Sequence, residues 1–284
     1  MEKLVLKLIG FYLNATSIFP KYNQELSFKL LCNVKRTPLK TTTKAFYETG
    51  ITTLLPTSKG TNVALHSWGT GAKNILFLHG WKSNSKQWQP YVEQLDLNEY
   101  TLYALDAPAH GASEGNHLNV EFYRETIQSV IYHVGKIDCV ICHSLGCLST
   151  SYLYLMNQEI PIDSYIIMGA PSGLDAILVY FKNLLSLSES TLKNLRFKID
   201  TILKISFDEV TLQQFFQKVD KPCMVIHERS DNVTPIAPIK EAIEHLLHID
   251  RVYMNNQDHM LKEQETVAVI KEFLKYKKIN NYVL

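Results

Sequence analysis

The sequence has no excess of charge of either sign. Its 284 residues carry 29 Lys and Arg against 28 Asp and Glu, which gives a formal net charge of +1. Proteins that bind nucleic acid through the phosphate backbone carry a strongly basic surface. The charge balance therefore gives no indication of a nucleic-acid partner. With 46% hydrophobic and 20% charged residues, the composition is that of an ordinary globular protein.

Long apolar runs and a regular cysteine framework are also missing. No run of about 18 apolar residues is free of charge, so no transmembrane helix is predicted. The five cysteines are odd in number and irregularly spaced, which predicts reduced, mostly buried thiols in a reducing compartment. No metal-ligand cluster, Gly-rich phosphate loop or flavin motif occurs. We therefore expect a cytoplasmic protein with no cofactor and no metal; the oligomeric state is left open.

The front of the chain differs from the remainder. Residues 1–40 contain seven basic and two acidic residues. Helical spacing over residues 3–19 gathers a narrow polar stripe of Lys3, Lys7, Gly10, Asn14 and Ser17, with apolar residues around it. The pattern predicts a helix that needs cover on most of its circumference. Three interpretations remain: packing on the rest of the protein, peripheral membrane contact through residues 1–20, or a cleaved or anchoring signal.

From residue 51 onward the sequence predicts an α/β domain. Three strand-like runs, "ITTLLP", "TNVALHSW" and "NILFLHG", are followed by apolar strands that alternate with helical patterns. Such alternation indicates a mostly parallel central sheet flanked by helices. About 50 residues without any strand signal interrupt it and predict a helical lid. The predicted organisation is an N-terminal helical extension (1–49), a core (50–171 and 221–284) and a lid (172–220).

The segment "CHSLG", residues 142–146, places Ser144 where a buried strand ends and a helix begins. A sharp turn there exposes the side chain at the carboxyl edge of the sheet and requires small residues two positions before and after it. Cys142 and Gly146 meet that requirement. The plain alternative is a serine that caps the helix N-terminus. The strand–turn–helix context favours a nucleophile, with the N–H of Leu145 directed at an oxyanion.

A serine nucleophile needs a base, and the base needs a carboxylate that orients it. Asp231 follows the strand at 222–228, and His259 follows the strand at 251–255. We predict that Asp231 and His259 complete a triad with Ser144. Two other carboxylates compete for the acid role, namely Glu228 at the strand end and Asp258 beside the histidine.

The loop after the third strand, "LFLHGWKSNSKQW", has the form of an oxyanion loop. Gly80 lets the chain turn close to the substrate, and the N–H of Trp81 is the predicted second donor. His79 and His143 are expected to have structural roles.

Five motifs in order, "LHGW", "DAPAHGASEG", "CHSLG", "HERSDNVTP" and "DHM", make the chain resemble the α/β-hydrolase fold superfamily over about residues 50–276. The resemblance implies a lid after the sixth family strand, and it implies that Asp106 and His110 brace a loop. Two positions depart from the family pattern, because Cys142 and Asp258 stand where glycine is usual.

The resemblance implies a serine hydrolase of the esterase and lipase kind, which cleaves a carboxylic ester or thioester of a small-molecule acyl substrate. Two alternatives stay open. The same triad acts on amide, lactone or carbon–carbon bonds in such folds, and a hydrolase-like protein can bind a ligand with little turnover.

Overall fold

One eight-stranded sheet forms the centre of the protein, whose computed structural model describes residues 2–36 and 38–279. Residues 280–284 of the predicted core, and the side chain of Lys3 in the predicted polar stripe, lie outside the described residues. The strands are β1 (Ile51–Pro56), β2 (Asn62–Trp68), β3 (Lys73–Leu78), β4 (Tyr100–Leu105), β5 (Cys139–His143), β6 (Tyr165–Met168), β7 (Cys223–Glu228) and β8 (Ile249–Met254).

The spatial order of the strands is β1-β2-β4-β3-β5-β6-β7-β8. β1 pairs antiparallel with β2, and β2 pairs antiparallel with β4. All pairs from β4 to β8 are parallel. The predicted α/β class and its mostly parallel sheet are confirmed. Because parallel strands are joined by crossovers, their carboxyl ends meet at one edge, where the site described below lies.

Helices cover both faces of the sheet. They are α1 (Glu2–Ala15), α2 (Pro20–Cys32), α3 (Thr41–Tyr47), α4 (Gln89–Val92), α5 (Val120–Val134), α6 (Leu145–Met156), α7 (Leu174–Leu185), α8 (Glu189–Ile202), α9 (Leu212–Lys218), α10 (Ala237–Ile243) and α11 (Gln264–Tyr276). Helices α7, α8 and α9 lie between β6 and β7, in the stretch 172–220 that the sequence predicts as a lid; we call this stretch the insertion.

Two hydrophobic cores lie on opposite faces of the sheet, as alternation along the strands requires. In β3, Leu76 and Leu78 join one core while Ile75 and Phe77 join the other. All five cysteines are buried and free. Cys139 and Cys142 in β5 have C-x-x-C spacing. Because they are three residues apart on a strand, their side chains point to opposite faces of the sheet, one into each core. They therefore do not face each other across a shared site.

The N-terminal helices pack on the insertion. A Cβ on Gly10 would lie 1.7 Å from the carbonyl oxygen of Leu185, so α1 and α7 approach closely at that glycine. The Asn14 amide donates to the carbonyl of Ser186 at 2.9 Å and accepts from the N–H of Ser188 at 2.8 Å. Part of the predicted polar stripe therefore contacts the insertion. The buried Leu13 is covered there as well, but much of the remaining apolar surface of α1 is exposed, so the cover that its pattern led us to expect is only partial.

No helix among the described residues combines the length and the hydropathy that crossing a membrane requires.

Candidate active site

Ser144 occupies a strained turn between β5 and α6. Its φ of 51° and ψ of −120° lie in a region that non-glycine residues rarely adopt. A Cβ on Gly146 would lie 2.6 Å from the carbonyl oxygen of Leu78, so only glycine fits there. The other position that requires a small residue is Cys142. Its thiol is fully buried and lies 3.5 Å from the carbonyl of Ile166. The turn leaves Ser144 half-buried at the carboxyl edge of the sheet.

His259 and Asp231 form a hydrogen-bonded pair at the same edge. His259 Nδ1 lies 2.7 Å from Asp231 Oδ2. The aspartate side chain is buried, whereas 16% of the histidine side chain is exposed. Because a carboxylate only accepts, Nδ1 carries the proton, and Nε2 of the neutral ring is left as the basic nitrogen.

Asp231 is held in its ionised form by the loop that follows β7. Burial acts to raise the pKa of Asp231, but hydrogen bonds outweigh it and hold the pKa well below its usual range. The donors are His259 and the backbone N–H groups of Val233 and Thr234, the latter two at 2.8 and 2.9 Å from Oδ1. The Thr234 hydroxyl lies 2.9 Å from Asp231 Oδ2 and 3.1 Å from the carbonyl of Gly169.

The two carboxylates that compete with Asp231 for the acid role make contacts elsewhere. Glu228 is buried and accepts hydrogen bonds from Ser230 and from the backbone N–H of Gln257, so it ties together the loops after β7 and β8. Asp258 is exposed and accepts from the N–H of Met260 at 2.8 Å. Asp231, by contrast, contacts the ring of His259.

His143 joins the serine turn to the loop that carries His259. Its Nε2 lies 2.8 Å from the backbone carbonyl of His259, and the two ring centroids are 4.6 Å apart. Burial first, and the electrostatic effect of the neighbouring His259 next, lower the pKa of His143 to about 3, so the His143 ring is neutral and Nε2–H is the donor. Within the described residues, no hydrogen bond connects the Ser144 hydroxyl directly to His259. The predicted relay is thus formed on its aspartate side and open on its serine side.

The loop after β3 lies against the serine. A Cβ on Gly80 would lie 2.8 Å from Cβ and 3.2 Å from Oγ of Ser144, so the backbone there approaches the hydroxyl closely. The N–H groups of Trp81 and Leu145 donate to no acceptor within the described part of the chain. Two free N–H groups beside one hydroxyl can receive negative charge on an oxygen.

Two buried histidines hold this loop in place. His79 Nδ1–H donates to the carbonyl of Gly80 at 2.7 Å, and its Nε2 accepts from the N–H of Ala107 at 2.9 Å. Burial lowers the pKa of His79 to about 4, so this ring stays neutral. His110 Nε2 accepts from the N–H of Lys82 at 3.0 Å. These contacts match the structural roles expected from the sequence.

Asp106 braces the loops from beneath. Its carboxylate is fully buried and accepts from the N–H groups of Ser85 and Ala112, both at 2.7 Å, from the Tyr47 hydroxyl at 2.9 Å and from His66 at 3.1 Å. Burial acts to raise its pKa, but these hydrogen bonds, that of His66 first, lower the pKa to about 2.

The lowered pKa makes Asp106 a source of stability that depends on pH. Its contribution is present above the unfolded pKa of about 3.9 and is lost as the pH falls toward the folded value of about 2. We expect Asp106→Asn to lower the free energy of unfolding by at least about 2 kcal/mol at pH 7, and by progressively less below pH 4. Urea unfolding from pH 7 to pH 3 measures this; Asp163→Asn, which removes an exposed ion pair, is the control. A deficit that does not depend on pH would contradict the assignment.

Three contributors to the site have no clear signal in the sequence. Gly169 has a φ of 52°, and a Cβ there would lie 3.3 Å from His143 Nε2 and from His259 Cε1. Thr234 supports Asp231, and Tyr47 reaches Asp106 from the N-terminal extension. Only "TP" after Asp231 and "GA" after β6 hint at turns, and neither pattern identifies a partner.

No group of three or more His, Cys, Asp or Glu side chains is arranged to hold a metal ion within the described ranges. The groups that meet at this edge of the sheet are a hydroxyl, an imidazole oriented by a carboxylate, and two backbone donors.

A model of the alpha/beta hydrolase family matches residues 75–263, a span that contains all of these groups. The pimeloyl-[acyl-carrier protein] methyl ester esterase of Vibrio vulnificus strain CMCP6 is 33% identical over 86 residues, which are 30% of this chain and 32% of that protein. The non-heme haloperoxidase of Rhodococcus erythropolis is 33% identical over 92 residues, 31% of this chain and 33% of that protein. The similarity thus spans about a third of these curated relatives.

Solved structures share the fold over a longer stretch. An esterase from Exiguobacterium antarcticum has a TM-score of 0.61 and 16% identity, covering 79% of this chain and 100% of that one. A thioesterase domain from the curacin biosynthetic pathway has a TM-score of 0.58 and 17% identity, covering 80% of this chain and 99% of that one. At these identities the likeness establishes the fold alone.

Proposed function

Because the chain belongs to the alpha/beta hydrolase family, we propose that it is a serine hydrolase that cleaves a carboxylic ester or thioester through an acyl-enzyme on Ser144. The observation that carries the proposal is the 2.7 Å bond between His259 Nδ1 and Asp231 Oδ2, at the sheet edge where Ser144 stands in its strained turn. The chain order Ser144, Asp231, His259 is the order that such hydrolases use.

The reaction proceeds in two steps. His259 Nε2 takes the proton of Ser144 as its oxygen attacks the substrate carbonyl, while Asp231 keeps the ring in the tautomer that leaves Nε2 basic. The N–H groups of Trp81 and Leu145 bind the tetrahedral oxyanion. His259 then gives its proton to the leaving alcohol or thiol. His259 then takes a proton from water, which attacks the acyl-enzyme. As the bond between the acyl carbon and the Ser144 oxygen breaks, His259 returns that proton to the serine, and the carboxylic acid leaves. No hydrogen bond joins Ser144 to His259 directly in the described residues. Catalytic hydrogen bonds of this type are often long without substrate and tighten when substrate is bound.

Support for an acyl substrate comes from the relatives. One protein that is 33% identical to this chain over 86 residues is a methyl ester esterase by name, which fits an ester better than an amide. The lactone, amide and carbon–carbon bond alternatives use the same triad, so a panel of substrates with one acyl group and different leaving groups separates them.

The proposal is tested by reaction with a fluorophosphonate probe, which forms a covalent bond only with an activated serine. We expect labelling of the peptide that contains Ser144, and loss of labelling in Ser144→Ala. Ser129→Ala, on the exposed side of α5, is the matched control and should label like the wild type. A folded wild-type protein that the probe leaves unmodified would favour a ligand-binding protein without turnover.

His143 is expected to act as a positioning residue, because its Nε2–H holds the backbone of His259. We predict that His143→Ala lowers kcat by about 10- to 100-fold, since small misplacements of a catalytic group have effects of this size. KM should change much less, because the buried side chain of His143 offers no surface to a substrate. Steady-state kinetics on a p-nitrophenyl ester measures both constants.

Two amide variants separate positioning from simple loss of volume. The amide nitrogen of Gln reaches the place of Nε2, so His143→Gln should recover most of kcat. The Asn amide is shorter and ends near the place of Nδ1, so His143→Asn should remain as slow as the alanine variant. Equal kcat in the two amide variants would show that the bond to His259 does not matter.

A further inference from the structure

The outer side of the N-terminal helices carries large apolar side chains that nothing in the described chain covers. Their exposed fractions run from 49% to 75%. We call this surface the N-terminal apolar face; its members are Leu4, Val5, Leu8, Phe11, Tyr12, Ile18, Phe19 and Tyr22.

The periodicity of α1 explains why these side chains share one surface. Leu4, Leu8 and Phe11 follow one another at steps of four and three, which aligns them along one side of a helix. The opposite side, with Gly10 and the buried Leu13, packs on the insertion. Tyr22, at the start of α2, is joined to the face by a 3.0 Å hydrogen bond between its hydroxyl and that of Tyr12.

This concentration of apolar side chains is unusual for a protein surface. Eight of the 21 large hydrophobic side chains that are exposed in the described chain lie within its first 22 residues. Scattered single exposures need no explanation, whereas a contiguous patch marks a surface that contacts another apolar phase. The extension packs on the insertion through the other side of α1, and this face packs on no other part of the described chain.

Basic side chains accompany the face. Lys7 lies four residues before Phe11 on the same side of α1, and Lys29 lies seven residues after Tyr22 on the same side of α2; both are exposed. No ion pair within the described residues involves either lysine. The exposed acid of α2, Glu25, is already paired with Lys198. Among the side chains that the structure describes, the charges around the face are therefore mainly positive.

We propose that the N-terminal apolar face docks on the surface of an anionic lipid membrane. A helix that lies in the interface buries its apolar side among the lipid chains and keeps lysines at the level of the head groups, where anionic lipids attract them. Aromatic residues such as Phe11, Tyr12 and Tyr22 suit this boundary. A second copy of the chain fits less well, because a symmetric interface would bring the same positive surroundings together.

Docking in this manner also sets the orientation of the protein. Helix α1 contacts α7 of the insertion, and α7 begins shortly after β6, at the sheet edge where the triad lies. The insertion, which α1 contacts, is thereby brought close to the lipid surface.

Flotation with lipid vesicles tests the proposal on the full chain. We expect the wild type to float with vesicles of phosphatidylglycerol and phosphatidylcholine mixed in equal amounts, and far less with pure phosphatidylcholine. The double variant Phe11→Ser/Phe19→Ser should bind at least about tenfold more weakly, because each lost side chain removes a large buried apolar area. Lys7→Gln/Lys29→Gln should weaken binding to the mixed vesicles by about fivefold per lysine and should flatten the salt dependence.

A matched control and a second measurement keep the outcomes distinct. Leu247→Ser removes a side chain that is 94% exposed, distant in sequence from the extension, and should float like the wild type. Flotation of the serine double variant equal to that of the wild type would overturn the proposal. So would light scattering that shows a dimer which this variant dissociates, because the face would then be an interface between copies. Circular dichroism and ester hydrolysis confirm that each variant is folded, and their results do not depend on lipid binding.

Discussion

Ester hydrolysis by Ser144→Ala is expected to fall by about five to six orders of magnitude in kcat, to the level that binding and backbone donors alone provide. The reason is that the alanine variant has no atom that can form the acyl-enzyme, while the N–H groups of Trp81 and Leu145 remain. Initial rates on p-nitrophenyl acetate and butyrate, corrected for the uncatalysed reaction, measure the loss.

This substitution should have little effect on the stability of the fold. Ser144 makes no side-chain hydrogen bond that caps α6, and alanine keeps the same Cβ in the same turn. We therefore expect a midpoint of urea unfolding close to that of the wild type. A loss of activity accompanied by unfolding would say nothing about the nucleophile, whereas a folded variant within about tenfold of wild-type kcat contradicts the assignment.

The second large effect is expected at the pair that activates the serine. His259→Ala should lower kcat by four orders of magnitude or more, because no other group takes the serine proton. Asp231→Asn should lower kcat by about 10⁴-fold, because an amide can donate to Nδ1 and thereby place the ring proton on Nε2, which is the wrong tautomer. Steady-state kinetics between pH 6 and pH 9 tests both variants.

The neighbouring acid provides the control for this pair. Asp258→Asn makes the same chemical change one residue from His259, at an exposed carboxylate that does not reach the ring. We expect its kcat to stay within about twofold of the wild type. If Asp258→Asn were the damaging variant and Asp231→Asn the harmless one, the acid would have been assigned to the wrong residue.

The sequence predicts much of this arrangement because each member of the site ends a strand. Apolar strands with intervening helices imply a parallel sheet, and the ends of parallel strands meet at one edge. The positions of Ser144, Asp231 and His259 at that edge follow from this rule and from the resemblance to a family. The choice of Asp231 over Asp258 also follows, since a neighbouring residue reaches its own histidine only with difficulty.

Other features depend on tertiary geometry that no local pattern contains. The bond from His143 to the backbone of His259 joins residues that lie 116 positions apart. The support of Asp106 by Tyr47 comes from a segment that the family core does not include. Periodicity predicts that α1 needs cover, but it does not tell which side of the helix packs on the rest of the chain. Here Gly10 allows close approach to α7 and Asn14 finds backbone partners there, so that side packs and the apolar side stays exposed.

Trapping of the acyl-enzyme tests the central claim most directly. Wild-type protein mixed with a p-nitrophenyl ester, quenched in acid within milliseconds and digested, should yield the peptide that carries Ser144 with the mass of one acyl group added. The modification should appear as fast as the burst of p-nitrophenol and disappear at the steady-state rate. A burst without acylation of that peptide, or acylation of a different residue at the same rate, contradicts the account.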